Sequence, residues 1–157
     1  MIRILTALIL SLAALPALAH DYVAGGLSIV HPHVIATPPN APVAGAYMTI
    51  VNTGDDDVLL SVEVPETKAG HVQLHETSME DGIMRMSELE GGIPIPAGET
   101  VTLESGGLHL MLMRLPQGLA DGDLVPATLT FQEAGKVHVV FLVKDRDIAT
   151  DHGGHGG

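Results

Sequence analysis

The sequence predicts an all-β domain, an antiparallel sandwich of about nine short strands. Three observations carry this. Short segments such as AYMTIV (46–51) and LHLMLMRL (108–115) alternate apolar side chains, the period of a strand with one buried face. Clusters of Gly, Pro, Asn and Asp punctuate them at short intervals, and the chain holds 18 Gly and 10 Pro for that purpose. No segment reads as a convincing helix. Two Tyr, two Phe and no Trp leave the core to aliphatic side chains.

Residues 1–19 read as a secretory signal peptide. Arg3 supplies the positive start, residues 4–15 an apolar stretch, and Ala17-Leu18-Ala19 an A-x-A cleavage signal. The apolar stretch is short for a membrane span. Cleavage after Ala19 leaves an exported, periplasmic protein with no membrane insertion. The domain then runs over 20–147, followed by a flexible Gly/His-rich tail over 148–157. LSIVHPHVIA (27–36) is a strand interrupted by Pro32, hence an edge strand or a bulged one. Its His31 and His33 share a face, as exposed residues or as a second metal site. TPPNAPVA (37–44) is a loop. Strands follow over AYMTIV, VLLSVEV, KAGHVQLHE, IMRMSEL, ETVTLES, LHLMLMRL, VPATLTF and KVHVVFLV. NTGDDD, Glu80-Asp81-Gly82 and Glu133-Ala134-Gly135 are turns, and GIPIPAGE is a loop. His71 and His138 have structural roles.

Formal net charge is −12 at pH 7, and loss of Arg3 with the signal peptide makes it −13. Nucleic acid and anionic lipid are poor partners for such a surface. The chain has no Cys. That removes disulfides, thiolate zinc sites, iron–sulfur clusters and blue-copper electron transfer.

Chemistry concentrates in residues 75–113, which hold His75, His109 and five of the seven Met: Met79, Met84, Met86, Met111 and Met113. Methionine commonly fills cores, so a single Met there signifies little. The combination signifies more. Thioether sulfur is soft and imidazole borderline, a set that suits Cu(I) far better than Mg, Ca or Mn. On a strand, His109 and Met111 point to one face, about 6.5 Å apart at Cα. Met84 and Met86 likewise share a face, and either can complete a set with His75. His71, Gln73 and His75 share another.

At these residues the sequence resembles the periplasmic copper chaperone family PCu(A)C. Its motif is His, ten residues, Met, about twenty-one residues, then His-x-Met. Ten residues separate His75 from Met86 here, and 22 separate Met86 from His109-Leu110-Met111. The extra residue falls in the 88–92 loop, where insertions are tolerated. HDYVAGGLSIVHP, TPPNAPVAGAYMTIVNTG, IPIPAGETVTLESGGLHLMLM and LVPATLTFQEAGKVHV extend the similarity. His33 stands where the family carries an aromatic residue after His-Pro. The resemblance implies a single-domain, cupredoxin-like Greek-key sandwich. It selects Met86 over Met84, so the implied Cu(I) ligands are His75, Met86, His109 and Met111. It also implies delivery to copper-accepting periplasmic proteins, in particular assembly of the copper site of cytochrome c oxidase.

Neutral thioethers and imidazoles bind a reduced ion and release it by ligand exchange, with affinity falling in acid as the imidazoles protonate. His20, exposed as the mature N-terminus, and the tail residues His152 and His155 are a secondary, looser Cu(II) set. Two other readings stand beside the chaperone. One is an exported β-sandwich that binds a protein and no metal. The other is a copper oxidative enzyme built on the N-terminal His20, for which the sugar-docking aromatic surface is missing. No G-x-S-x-G nucleophile elbow supports a hydrolase, and the expectation is that the protein is not an enzyme.

Overall fold

The structure is a computed structural model and describes residues 21–146. The expected signal peptide (1–19), the whole of the expected tail (148–157), and His20, His152 and His155 lie outside the described residues. Within them the chain forms eleven strands and no helix. These are β1 (Tyr22–Ala24), β2 (Leu27–Ile35), β3 (Val43–Asn52), β4 (Asp57–Glu63), β5 (His71–Glu80), β6 (Ile83–Glu88), β7 (Ile93–Ile95), β8 (Thr100–Leu103), β9 (Leu108–Met113), β10 (Leu124–Phe131) and β11 (Gly135–Lys144).

The strands form one hydrogen-bonded path in the order β6-β5-β9-β3-β2-β11-β10-β4-β7, with β1 added to β2 and β8 to β3. The path curls so that its inward faces meet in one core. Ile29, Ala46, Ile50, Leu74, Leu110 and Leu112 come from the β5–β9–β3–β2 half. Leu59, Ile93, Ile95, Leu129, Phe131, Phe141 and Val143 come from the other half, and all are buried. The result is a cupredoxin-like sandwich with Greek-key crossings, in which neighbours such as β3 and β9 are distant in sequence. Strand pairs are antiparallel except β2 with β11, which is parallel.

The two extra strands are both short. β1 has three residues. β7 occupies Ile-Pro-Ile inside the expected GIPIPAGE loop, with both Ile buried and Pro94 outward. β7 ends the path, so the missing N–H of Pro94 costs no ladder bond. Pro32 is accommodated differently. β2 lies inside the sheet, and the ladder to β3 skips from Val30 to His33. His31 takes φ 50° in that bulge. Of the two expectations for this strand, the bulge is the one realised.

Two buried polar side chains tie the ends of the sandwich. The Asn52 side-chain amide donates to the carbonyls of Ile95 (2.9 Å) and Asp55 (2.7 Å), and its oxygen accepts from Gly54 N–H (2.9 Å). It thereby clamps β3 to β7 across the core. The Asp57 carboxylate accepts the N–H groups of Val58 (2.8 Å), Glu133 (2.9 Å) and Ala134 (3.0 Å), which holds the β10–β11 turn against β4. Burial pushes the Asp57 pKa up, but the backbone donors from Glu133, Val58, Ala134 and Gln132 outweigh it and hold the carboxyl below its ordinary value. The native pKa is depressed relative to the unfolded chain. The stabilisation is therefore present above the unfolded value and is lost as pH falls through the native one. Asp57→Asn should cost roughly 1–3 kcal/mol at pH 7 and flatten the acid limb of stability against pH. Urea titrations of both proteins at a series of acidic pH values measure this.

Candidate metal centre

The centre is built from the margin of the sheet, β6-β5-β9. In this antiparallel register His75 faces His109, Gln73 faces Met111 and His71 faces Met113. Across the hairpin, His75 also faces Glu88, Thr77 faces Met86, and Met79 faces Met84. Residues directly opposite share a face. Leu74, Leu110 and Leu112 point inward and are buried. Alternation therefore directs His75, Met86, His109 and Met111 to the outer face together. A slip of one residue would turn the donors inward and the leucines outward.

The hairpin register follows from its turn. Asp81 and Gly82 both have positive φ, 51° and 77°, the geometry of a two-residue turn that matches strand twist. Counting outward from Asp81-Gly82 pairs residue 75 with residue 88, so Glu88 is beside His75. The sequence reading did not make that count.

His75 and His109 have ring centroids 5.5 Å apart, edge to face at 76°. Each is held through one ring nitrogen. His109 Nδ1 lies 3.0 Å from the Gly107 carbonyl, which can only accept, so Nδ1 carries the proton and Nε2 the lone pair. His75 Nε2 lies 3.0 Å from Gln73 Oε1. The Gln73 amide orientation is set in turn, because its NH2 donates to Glu88 Oε2 at 3.2 Å. The His75 proton therefore sits on Nε2 and its lone pair on Nδ1. That Nδ1 is buried and has no hydrogen-bond partner. A buried nitrogen acceptor with no protein donor fits a group that binds an electrophile such as a metal ion. Burial lowers the His75 pKa, His109 lowers it further, and Glu88 opposes both. The net shift keeps the donor form at pH values where an ordinary imidazole is partly protonated.

The four predicted donors are not equally close. His75, His109 and Met111 form a compact trio. Met86 lies two strand spacings and four residues from Met111, which is about 16 Å at Cα in a flat sheet. That is further than two methionine side chains reach across one ion. Closing that distance takes curling of the β5–β6 hairpin over β9, and a two-stranded ribbon twists more readily than a broad sheet.

On the next strand, Gly45 faces Met111. A Cβ on Gly45 would meet the Tyr47 hydroxyl at 2.6 Å, so glycine here makes room for the Tyr47 side chain beside Met111. Tyr47 in turn packs on His33, with centroids 5.6 Å apart. His33 thus occupies the place of an aromatic ring. The other histidines lie elsewhere. His71 pairs with Arg114 (3.0 Å) and His138 with Thr128 (3.0 Å). His31 lines an open cleft of about 590 Å³ with His33, Tyr47 and Lys144. Among the described residues no group of three or more His, Cys, Asp or Glu is placed to hold a metal ion. Beside the His75–His109 pair, the register brings the Met111 thioether to the same face.

Comparison with known proteins places the chain. A family model described as "Putative lipoprotein LpqE-like" matches residues 27–143. The chain belongs to the LpqE-like family. A curated relative of this LpqE-like chain, "Putative lipoprotein Lxx21020" of Leifsonia xyli subsp. xyli, is 36% identical over 103 residues. The match spans 66% of this chain and 61% of that relative's length. Among solved structures, the copper-bound PCuAC domain from PmoF2 superposes with a TM-score of 0.68 at 26% identity, covering 81% of this chain and 99% of that domain. CuI-DR1885 from Deinococcus radiodurans gives 0.59 at 29% identity, covering 83% and 85%. The LpqE-like chain thus shares its fold with domains solved in copper-bound form.

The hydrogen bonds set opposite tautomers for the two imidazoles of this LpqE-like protein. Two-bond 15N–1H correlation spectra of the metal-free protein should show His75 protonated at Nε2 and His109 at Nδ1. Gln73→Leu should erase the His75 preference and leave His109 unchanged.

Proposed function

We propose that this LpqE-like protein is an exported copper chaperone that binds Cu(I) through His75, Met86, His109 and Met111 and passes it to other exported copper proteins. The carrying observation is the buried, unpartnered Nδ1 of His75 beside His109 on the strand pair that also presents Met111. A lone-pair nitrogen held out of water, next to another imidazole and a thioether, calls for a soft or borderline cation. The copper-bound PCuAC domain and the Cu(I) form of DR1885 support the same ion. Copper here is cargo, so its ligands must both hold and release it. His75, His109 and Met111 receive the ion, and Met86 closes the set as the hairpin curls. Release reverses this by losing Met86 first, which opens a coordination position to an incoming ligand. The destination we propose is the copper site of cytochrome c oxidase and comparable exported proteins. Export itself is supported by the lipoprotein names in the family and by the leader-like residues 1–19.

The competing reading is a protein-binding sandwich in which Met and His only pack. Met86 is exposed and β6 is exposed along its whole length, so packing does not explain it. Losing a residue that orients a metal ligand costs about 10–100-fold in affinity, and a lost ligand should cost at least about tenfold. Competition with a calibrated Cu(I) chelator should therefore show Met86→Ile and Met111→Ile each weakening binding by at least about tenfold, with the β-sheet circular dichroism retained. Unchanged affinity in both variants would favour the packing reading.

A further inference from the structure

The β5–β6 hairpin carries more sulfur than a four-ligand site uses. Met79 and Met84 are direct cross-strand partners, and Met86 follows Met84 by two residues on the same face. Their relative exposures are 64%, 66% and 55%. The opposite face of the hairpin holds Ser78 opposite Arg85 and Glu76 opposite Ser87, with Arg85 bridging to Glu80 at 3.1 Å. Neither face is covered by the sandwich, since every residue of β6 and residues 78–80 are exposed. The usual reason for methionine, filling an irregular core, is therefore missing at all three positions. β-Branched residues serve an exposed strand better.

We propose that Met79, Met84 and Met86 form a second Cu(I) station, a thioether ladder on which the ion enters and leaves the His75–His109–Met111 centre. This rests on the copper reading above and extends it to two residues outside that ligand set. Cross-strand partners sit about 4.5–5.5 Å apart at Cα, and Met84 and Met86 about 6.5–7 Å apart. Two or three sulfurs can therefore meet at one ion without moving the backbone far. Met86 belongs to both stations. Transfer is then a sequence of ligand exchanges in which one Cu–S bond forms as another donor leaves. No electron moves, and neutral thioethers add no charge to the path. The ladder runs from the trio towards the exposed turn at Asp81-Gly82, where an acceptor can reach it. Glu88 on the same face of the hairpin and Asp81 in its turn place carboxylates at the two ends of the ladder and favour the approach of a cation.

The test uses the protein labelled with 13C at the methionine methyls and 15N at the imidazoles. It is titrated anaerobically with Cu(I), or with Ag(I) as a redox-inert substitute. The first equivalent should shift the His75 and His109 nitrogens and the Met111 methyl. The second should shift the Met79 and Met84 methyls. The double variant M79I/M84I should bind one equivalent with unaltered first-site affinity, and a chelator should capture its copper severalfold more slowly. Methyl signals of Met79 and Met84 that stay still through two equivalents, while the imidazoles respond, overturn the ladder alone. Silent imidazoles overturn the copper reading with it. Unchanged stoichiometry and capture rate in the double variant also overturn the ladder.

Discussion

The centre depends on alternation in β5 and β9. Leu74 on one strand and Leu110 and Leu112 on the other are driven inward by burial of their side chains, each contributing on the order of 2 kcal/mol. Period two then leaves His75, Gln73, His109 and Met111 no choice of side. No donor needs to stabilise the fold, because the leucines already set the register. That separation suits a site that must exist both loaded and empty. A site whose ligands also formed the core would weaken the sandwich each time the ion left.

Hydrogen bonding adds what register alone does not supply. Sharing a face brings two imidazoles near each other but leaves each ring free to present either nitrogen. The Gly107 carbonyl decides this for His109, and the Gln73 side chain, itself oriented by Glu88, decides it for His75. The two rings are held by different devices, one backbone and one side chain. His75 is thus the adjustable member, tuned through a carboxylate on the neighbouring strand. The same carboxylate lies at the root of the hairpin that carries Met86, so hairpin position and His75 orientation are physically connected.

Much of this was legible in the sequence. Alternation in LHLMLMRL and HVQLH gave the strands and the shared faces, and the absence of Cys narrowed the ligand chemistry. The parts that were not legible share a cause: they depend on non-local pairing. Nothing in Gly45 or Tyr47 announces a neighbour of Met111 sixty-odd residues away, because β3 meets β9 only after the Greek-key crossing. β7 was hidden because two prolines in IPIP argue against a strand unless the strand lies at an edge, and edge position is a property of the whole sheet. Pro32 shows the same ambiguity resolved the other way, by a bulge inside the sheet. Glu88 was recoverable, since a two-residue Asp-Gly turn fixes the pairing of every residue in its hairpin.

Register also explains why Met86 must differ from the other donors. His75, His109 and Met111 sit on strands tied to the body of the sandwich, whereas β6 pairs only with β5 and forms the free end of the sheet path. A hairpin without packing on either face has few buried contacts to resist bending, which is the condition for low-energy local motion. On the proposed reading, placing one ligand on that element and the rest on the margin of the sheet divides the labour of a carrier. The trio would then supply selectivity through donor type and tautomer. The exposed Met86 thioether would control how completely the ion is enclosed. On the proposed reading, affinity and release rate are then set by different residues, so one can change without the other, and an ion can be held tightly at equilibrium yet surrendered quickly to a partner that offers a competing sulfur at the hairpin.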